Sequence, residues 1–287
     1  VLEFRDEAGR FTDAEVRLIE EGPLRATLRV ISYYGHSMLR QDFTLYRNQP
    51  GAEVSVMLNW QERHKLLKLA FPVNVSGAKP VYEIPYGALE RPADGLEQPG
   101  QAWVDISGKL EGGSEYGLAL ANTSKYSYDA LGSELRMTAV RSPMYADHYG
   151  VRDEFAEYMD QGMQYFTYLL LPHAGDWRQS GIVRRSQELL NPPVTVLETY
   201  HKGSLPLTGS FLSVESENVA APVLKQAEDG DGLILRCVET FGETVETEID
   251  LKLTGRKWKA RFGPFEIKTF RIRDNGNIEE TNLIEGI

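Results

Sequence analysis

Four carboxylates and a histidine lie within a short stretch of the chain: His148, Asp153, Glu154, Glu157 and Asp160. Groups of these types at close spacing can serve as acid/base residues or metal ligands, and two facing carboxyls are what glycosidic cleavage requires. The same residues also describe a solvated acidic loop, and spacing alone leaves both readings open. Just before them, Arg141-Ser142-Pro143 sends an arginine off the end of an alternating segment. Its planar guanidinium can fork onto a pair of sugar hydroxyls or a carboxylate, or it can pin the loop through Asp147 or Asp153. The aromatics Tyr82, Tyr86, Trp103, Tyr145, Tyr149 and Tyr158 read as exposed and can stack on sugar rings or cover sheet ends. His64 has no carboxylate or second histidine at metal-ligand spacing and reads as a surface or packing residue. No G-x-S-x-G elbow, phosphate-binding loop or H-E-x-x-H pair occurs.

The elements that hold these residues read as strands. Leu135–Val140 and Tyr165–Leu171 alternate on either side of the acidic stretch, and Pro172-His173 is expected to end the second, because proline has no N–H for a ladder. Upstream, segments around Glu20-Glu21-Gly22-Pro23 and around Arg47-Asn48-Gln49-Pro50-Gly51 read as hairpins. Val54, Val56, Leu58 and Trp60 share one face of a half-buried strand. Gln61–Pro72 is ambiguous between a short helix and a strand. Residues 79–107 are rich in proline and glycine and read as loop with short extended pieces. One helix is expected at Ile182–Leu190, stopped by Asn191-Pro192-Pro193. Beyond it, Val245–Leu253 alternates throughout, its acids marking a solvated sheet face.

These patterns predict an all-β fold, with a boundary near Pro192-Pro193 that separates residues 1–193 from a small antiparallel β-sandwich at 194–287. The first part is too long for one immunoglobulin-sized sandwich of roughly 100 residues. A net charge of −11 argues against nucleic acid and anionic membrane as partners. No apolar run approaches the roughly 18 residues of a membrane-spanning helix. The single cysteine, Cys237, sits in an alternating strand, reads as a small buried side chain, and fits a reducing, cytoplasmic setting. The chain opens on Val1 and enters strand-like sequence at once, which reads as a piece of a longer polypeptide.

Several ordered motifs resemble one family. Trp60-Gln61-Glu62-Arg63-His64-Lys65 and its continuation to Phe71-Pro72 resemble the W-x-E-x-H-K-x-L-K-x-x-F-P run of glycoside hydrolase family 38 α-mannosidases. Glu83-Ile84-Pro85-Tyr86-Gly87 with Glu90-Arg91-Pro92, Trp103-Val104-Asp105-Ile106-Ser107, and Tyr116-Gly117 through Lys125-Tyr126 are similar to the motifs that follow it. Arg141-Ser142-Pro143, Asp160-Gln161-Gly162, Phe166-Thr167-Tyr168, Pro172-His173 and Gly263–Phe270 continue the series, with Gln164 where the family carries a histidine. The resemblance implies a large galactose-mutarotase-like supersandwich followed by the small β-sandwich. It implies the C-terminal β-region of an enzyme that hydrolyses terminal α-mannosides with retention. A mannose-containing oligosaccharide would be the substrate and an N-terminal catalytic domain of the same polypeptide the partner. The nucleophile and the zinc ligands would lie outside this chain, so no catalytic or metal residue is assigned within it. By the same resemblance Tyr86, Arg91, Arg141, Asp160, Gln161 and Gly162 are the candidate substrate-binding residues. A homo-oligomer is compatible with the sequence. The alternatives are a stand-alone carbohydrate-binding module and a mutarotase-like sugar epimerase, the latter drawing on His64, His173 and Glu83.

Overall fold

In the computed structural model of the protein, which describes residues 6–145 and 156–286, the period-two patterns have become strands almost throughout. The chain divides into two compact units. One comprises the residues up to Glu83 with Leu89–Pro192, and the other Ile84–Ala88 with Pro193 onward.

The first unit opens with a four-strand meander, β1 (Thr12–Glu21), β2 (Arg25–Tyr34), β3 (Ser37–Tyr46) and β4 (Ala52–Trp60). There follow β5 (Leu66–Pro72), β6 (Ser76–Ile84), β7 (Gly87–Glu90), β8 (Gln98–Pro99) and β9 (Trp103–Lys109). The series closes with β10 (Glu115–Asn122), β11 (Ser127–Leu131), β12 (Glu134–Arg141), β13 (Gly162–Ala174) and the helix α1 (Ile182–Leu190). A nine-stranded sheet runs β1-β2-β3-β4-β13-β10-β9-β6-β7, and a four-stranded sheet runs β5-β12-β11-β8. Their facing sides make one core. Val54, Val56, Leu58, Trp60, Val104, Ile106, Leu120, Phe166 and Tyr168 from the large sheet meet Leu69, Tyr128, Leu135 and Met137 from the small one. Burial of such side chains is worth roughly 1.5–3 kcal/mol each, so this alternation fixes the register of both sheets. The opposite face of the large sheet is covered over β9 and β10 by α1, with Trp103 stacked on Trp177 at 5.2 Å.

The second unit contains β14 (Ser213–Val214), β15 (Val219–Gln226), β16 (Leu233–Glu239), β17 (Val245–Leu251), β18 (Arg256–Phe262), β19 (Ile267–Ile272) and β20 (Ile278–Thr281). They form a β14-β17-β18 sheet and a β15-β16-β19-β20 sheet. Leu235, Cys237, Ile249, Leu251, Phe262 and Phe270 are buried between them.

Four expectations change. Tyr82 and Trp103, read as exposed aromatics, are buried. The ambiguous run after Trp60 is a strand, because Leu66–Pro72 pairs along β12. Pro172 does not end its strand but pairs opposite Leu118 in β10. The Gly175 N–H donates to Glu115 O and the Thr123 N–H to Thr167 O, so odd-numbered residues of β13 present their backbone groups to β10. Even-numbered ones turn toward β4, whose pairing has ended at Leu170. The missing N–H of Pro172 therefore falls where no ladder partner stands. Leu253, placed on the inner face with Leu251, is exposed because β17 stops at Leu251 and the chain turns.

Candidate functional site

The acidic stretch joins β12 to β13. His148, Asp153 and Glu154, with Asp147 and Tyr149, lie outside the described residues. The described arms on either side pair with each other: Met144 bridges Tyr158, the Tyr145 N–H donates to Glu157 O at 2.8 Å, and the Met159 N–H donates to Pro143 O at 3.0 Å.

At the base of this stem Ser142 is fully buried and joins three segments. Its hydroxyl lies 2.7 Å from Glu62 O and 3.1 Å from Lys65 O, and it accepts the Trp60 indole N–H at 3.1 Å. Its backbone donates to Lys65 O at 2.9 Å and accepts from the His64 N–H at 2.8 Å. The W-x-E-x-H-K run is thereby stitched to the R-S-P run.

Glu62, buried beneath this junction, accepts the His36 N–H at 3.0 Å and Lys65 Nζ at 2.8 Å. Burial works against its charge, but the lysine and the backbone donor outweigh it and hold the carboxyl below the usual range. His64 meets Tyr158 edge-on, Nε2 to hydroxyl 3.1 Å, and the Arg63 guanidinium sits 4.9 Å from the Tyr158 ring centroid.

On this frame stand four of the six candidate residues. Asp160 accepts the Arg141 backbone N–H at 2.9 Å, in a left-handed conformation with φ 54° that aspartate tolerates. The Arg141 side chain is exposed. Gln161 donates its amide to Glu62 O at 2.9 Å and Met159 O at 3.3 Å. Gly162 adopts φ 87° and a side chain there would touch nothing within 4 Å, so glycine serves the backbone turn rather than space. Lys125 belongs to the same end. Its ammonium lies 4.8 Å from the Phe166 ring centroid, burial lowers its pKa, and the charge of Asp160 pulls it back up. Lys125 was not singled out from sequence, although it occupies the lysine of its motif.

The remaining two are Arg91 and Tyr86. Arg91 donates to Gln98 Oε1 at 2.6 Å and lies 5.3 Å from the Tyr82 ring centroid, so its guanidinium is engaged in holding the chain after β7. Tyr86, exposed with φ 56°, belongs to the second unit. The histidine and carboxylate that an epimerase needs also meet, but elsewhere. His173 Nε2 lies 2.6 Å from Asp105, with side chains 6% and 0% exposed. In the register Gly117 stands between Ser107 and His173, and a Cβ there would meet the His173 ring at 2.5 Å. Burial pushes Asp105 up. It also works against a charged His173, but the Asp105 bond and charge outweigh it and raise that group. Both side chains of the pair are turned into the fold. His64 is instead engaged with Tyr158, and Glu83 accepts the Ala102 N–H at 2.6 Å. Three motifs of the resemblance meet at the Asp105–His173 pair. Among the described residues no three His, Cys, Asp or Glu side chains gather as metal ligands.

Comparison with known proteins explains the convergence. Residues 3–149, just over half the chain, match the model of the glycosyl hydrolases family 38 C-terminal domain. The chain belongs to glycosyl hydrolase family 38. Residues 218–270 of this family 38 chain further match the family's C-terminal beta sandwich domain. It is 31% identical to alpha-mannosidase 2C1 of Homo sapiens over 81% of its length, covering 22% of that protein. To alpha-mannosidase G of Dictyostelium discoideum it is 26% identical over 90% of its length, covering 26%. A solved family 38 protein from Enterococcus faecalis shares the fold at TM-score 0.76 and 16% identity, over 91% of this chain and 36% of that one. The chain thus spans about a quarter of the length of these curated relatives.

Proposed function

We propose that the chain is the C-terminal β-region of an α-mannosidase that removes terminal α-mannosyl residues with retention. In this reading it supports the catalytic domain and presents Arg141, Asp160, Gln161 and Lys125 to the sugar. The observation that carries the reading is the junction at Ser142, which fixes those residues at one end of the first unit on motifs the family shares. They bring together a guanidinium, a carboxylate, an amide and an ammonium, a set suited to hydrogen bonds with sugar hydroxyls. Zinc would be held by the part of the polypeptide outside this chain, and no step is assigned to it here. The cytoplasm is the proposed setting, and the lone buried thiol of Cys237 agrees with it. The test is an aryl α-mannoside assay of the full polypeptide beside the 287-residue chain with added zinc. Turnover by the full polypeptide, first releasing the α-anomer, and none by the chain alone is expected. Turnover by the chain alone, or inversion, would refute the reading.

A further inference from the structure

Between α1 and β14 the chain runs through PPVTVLETYHKGSLPLTGSFL without helix or strand. This stretch ought to be polar, because connecting segments lie against water. Instead Val194, Leu197 and Tyr200 are exposed at 92%, 98% and 97%, and Val196, Leu205, Leu207 and Phe211 are also exposed. Scattered exposed apolar residues are ordinary, whereas four largely exposed ones within seven residues, Val194, Val196, Leu197 and Tyr200, point to an interaction site. Among the described residues no backbone N–H from 194 to 209 donates to another backbone carbonyl; the Thr199 N–H donates to the Glu198 carboxylate at 2.7 Å, and the segment pairs with no strand. The stretch lies between the two matched family segments, 3–149 and 218–270, and belongs to neither.

We propose that residues 194–200 form a docking strand, covered in the intact enzyme by the remainder of the same polypeptide. This rests on reading the chain as part of a longer mannosidase. Val194, Val196 and Tyr200 fall on one side of an extended segment, with Leu197 and Thr199 on the other, so both faces carry apolar groups. That pattern fits an apolar groove with an unpaired sheet edge, where added main-chain hydrogen bonds give affinity and alternate side chains give specificity. The curated relatives are about four times as long as the matched region, so ample chain exists to form such a groove. A second copy is the poorer occupant, because each copy carries a net charge of −11 and like charges oppose association.

Hydrogen–deuterium exchange read by mass spectrometry, on the 287-residue chain and on the full polypeptide, tests the assignment. The amides of 194–200 are expected to exchange at least about 100-fold more slowly in the full polypeptide. The paired substitution Val196→Asp with Leu197→Asp, made in the full polypeptide, is expected to restore fast exchange there. Equal exchange in both proteins overturns the proposal, as does protection that survives the paired substitution. Protection in the short chain that rises with concentration, together with a dimer in sedimentation, also overturns it in favour of a second copy. Mannosidase activity is measured on the same samples. An active polypeptide with an unprotected segment overturns docking alone, whereas a protected segment in an inactive polypeptide supports docking and overturns the enzymatic reading.

Discussion

Replacing Ser142 by alanine removes one oxygen from the junction that ties β4, the run after it and the stem of the acidic stretch together. The Trp60 indole, in a buried side chain, donates to that oxygen at 3.1 Å and would be left without its acceptor. An orphaned buried donor costs about 1–3 kcal/mol, and the lost hydroxyl bond to a carbonyl adds about 1. The two carbonyls are not orphaned. Glu62 O keeps the Gln161 amide at 2.9 Å, and Lys65 O keeps the Ser142 backbone N–H at 2.9 Å. The expected loss is therefore about 2–4 kcal/mol for the first unit, or roughly 5–15 °C in melting temperature for a unit of this size. Urea denaturation followed by tryptophan fluorescence suits the measurement, since Trp60, Trp103 and Trp177 belong to this unit. A double-mutant cycle with Trp60→Phe isolates the pair. With the indole N–H gone, Ser142→Ala should cost only about 1 kcal/mol, a coupling of at least about 1. A loss below about 0.5 kcal/mol in the native background, or strict additivity in the cycle, would show that the hydroxyl does not join these segments.

The Asp105–His173 pair gives a pH dependence of definite sign. His173 is raised on folding, so the stability it contributes is complete below the unfolded histidine value of about 6.5 and is lost as pH rises through the folded one, whereas the contribution of Asp105, also raised, is already being lost from its unfolded value of about 3.9 upward. Unfolding free energies from urea titrations measured upward from about pH 6.5 should fall by as much as about 1.4 kcal/mol per pH unit, and His173→Gln should flatten that slope. Parallel profiles for the two proteins would contradict it. Ser107 and Asp176 also face Asp105 and are kept unchanged. Cys237 is buried, and burial pushes its thiol up to about 12, so a thiol reagent should label it only as fast as the second unit unfolds. Labelling within seconds in native buffer would count against this. Glu239, also buried, accepts the N–H groups of Phe241, Gly242, Glu243 and Phe265 at 2.8–3.1 Å. Glu239→Gln turns an amide N–H₂ toward those donors and should destabilise the second unit by roughly 2–4 kcal/mol. A loss under about 1 kcal/mol would mean that the turns do not depend on this carboxylate.

Where local pattern decides structure, the sequence was legible. The face made by Val54, Val56, Leu58 and Trp60 is buried, and Ile182–Leu190 is the helix, stopped at Asn191-Pro192. Strands β15, β18 and β20 were not read. Pro222 interrupts the first at a register shift, Arg256–Phe262 is mostly charged, and Ile278–Thr281 is short. Pro172 misled because a proline rule needs to know which side of a strand still has a partner, and only the register supplies that. The motifs named candidate residues but not their partners in the fold. Ser142, Glu62 and Lys125 act through contacts across tens of residues, and the Asp105–His173 pair spans 68. The available signals were an aspartate inside the apolar Val104–Ile106 strand and a glycine opposite both partners, and these acquire meaning only once β9, β10 and β13 are adjacent.

The central claim is that the end of the first unit carrying Asp160 serves the sugar. Asp160→Ala in the full polypeptide tests it most directly, measured as kcat/KM on an α-mannoside with melting temperature recorded beside it. The account expects kcat/KM to fall by more than about tenfold, or ~1.4 kcal/mol of transition-state binding, with folding retained. Wild-type kinetics in that variant would contradict it and reduce the acidic stretch to a surface connection.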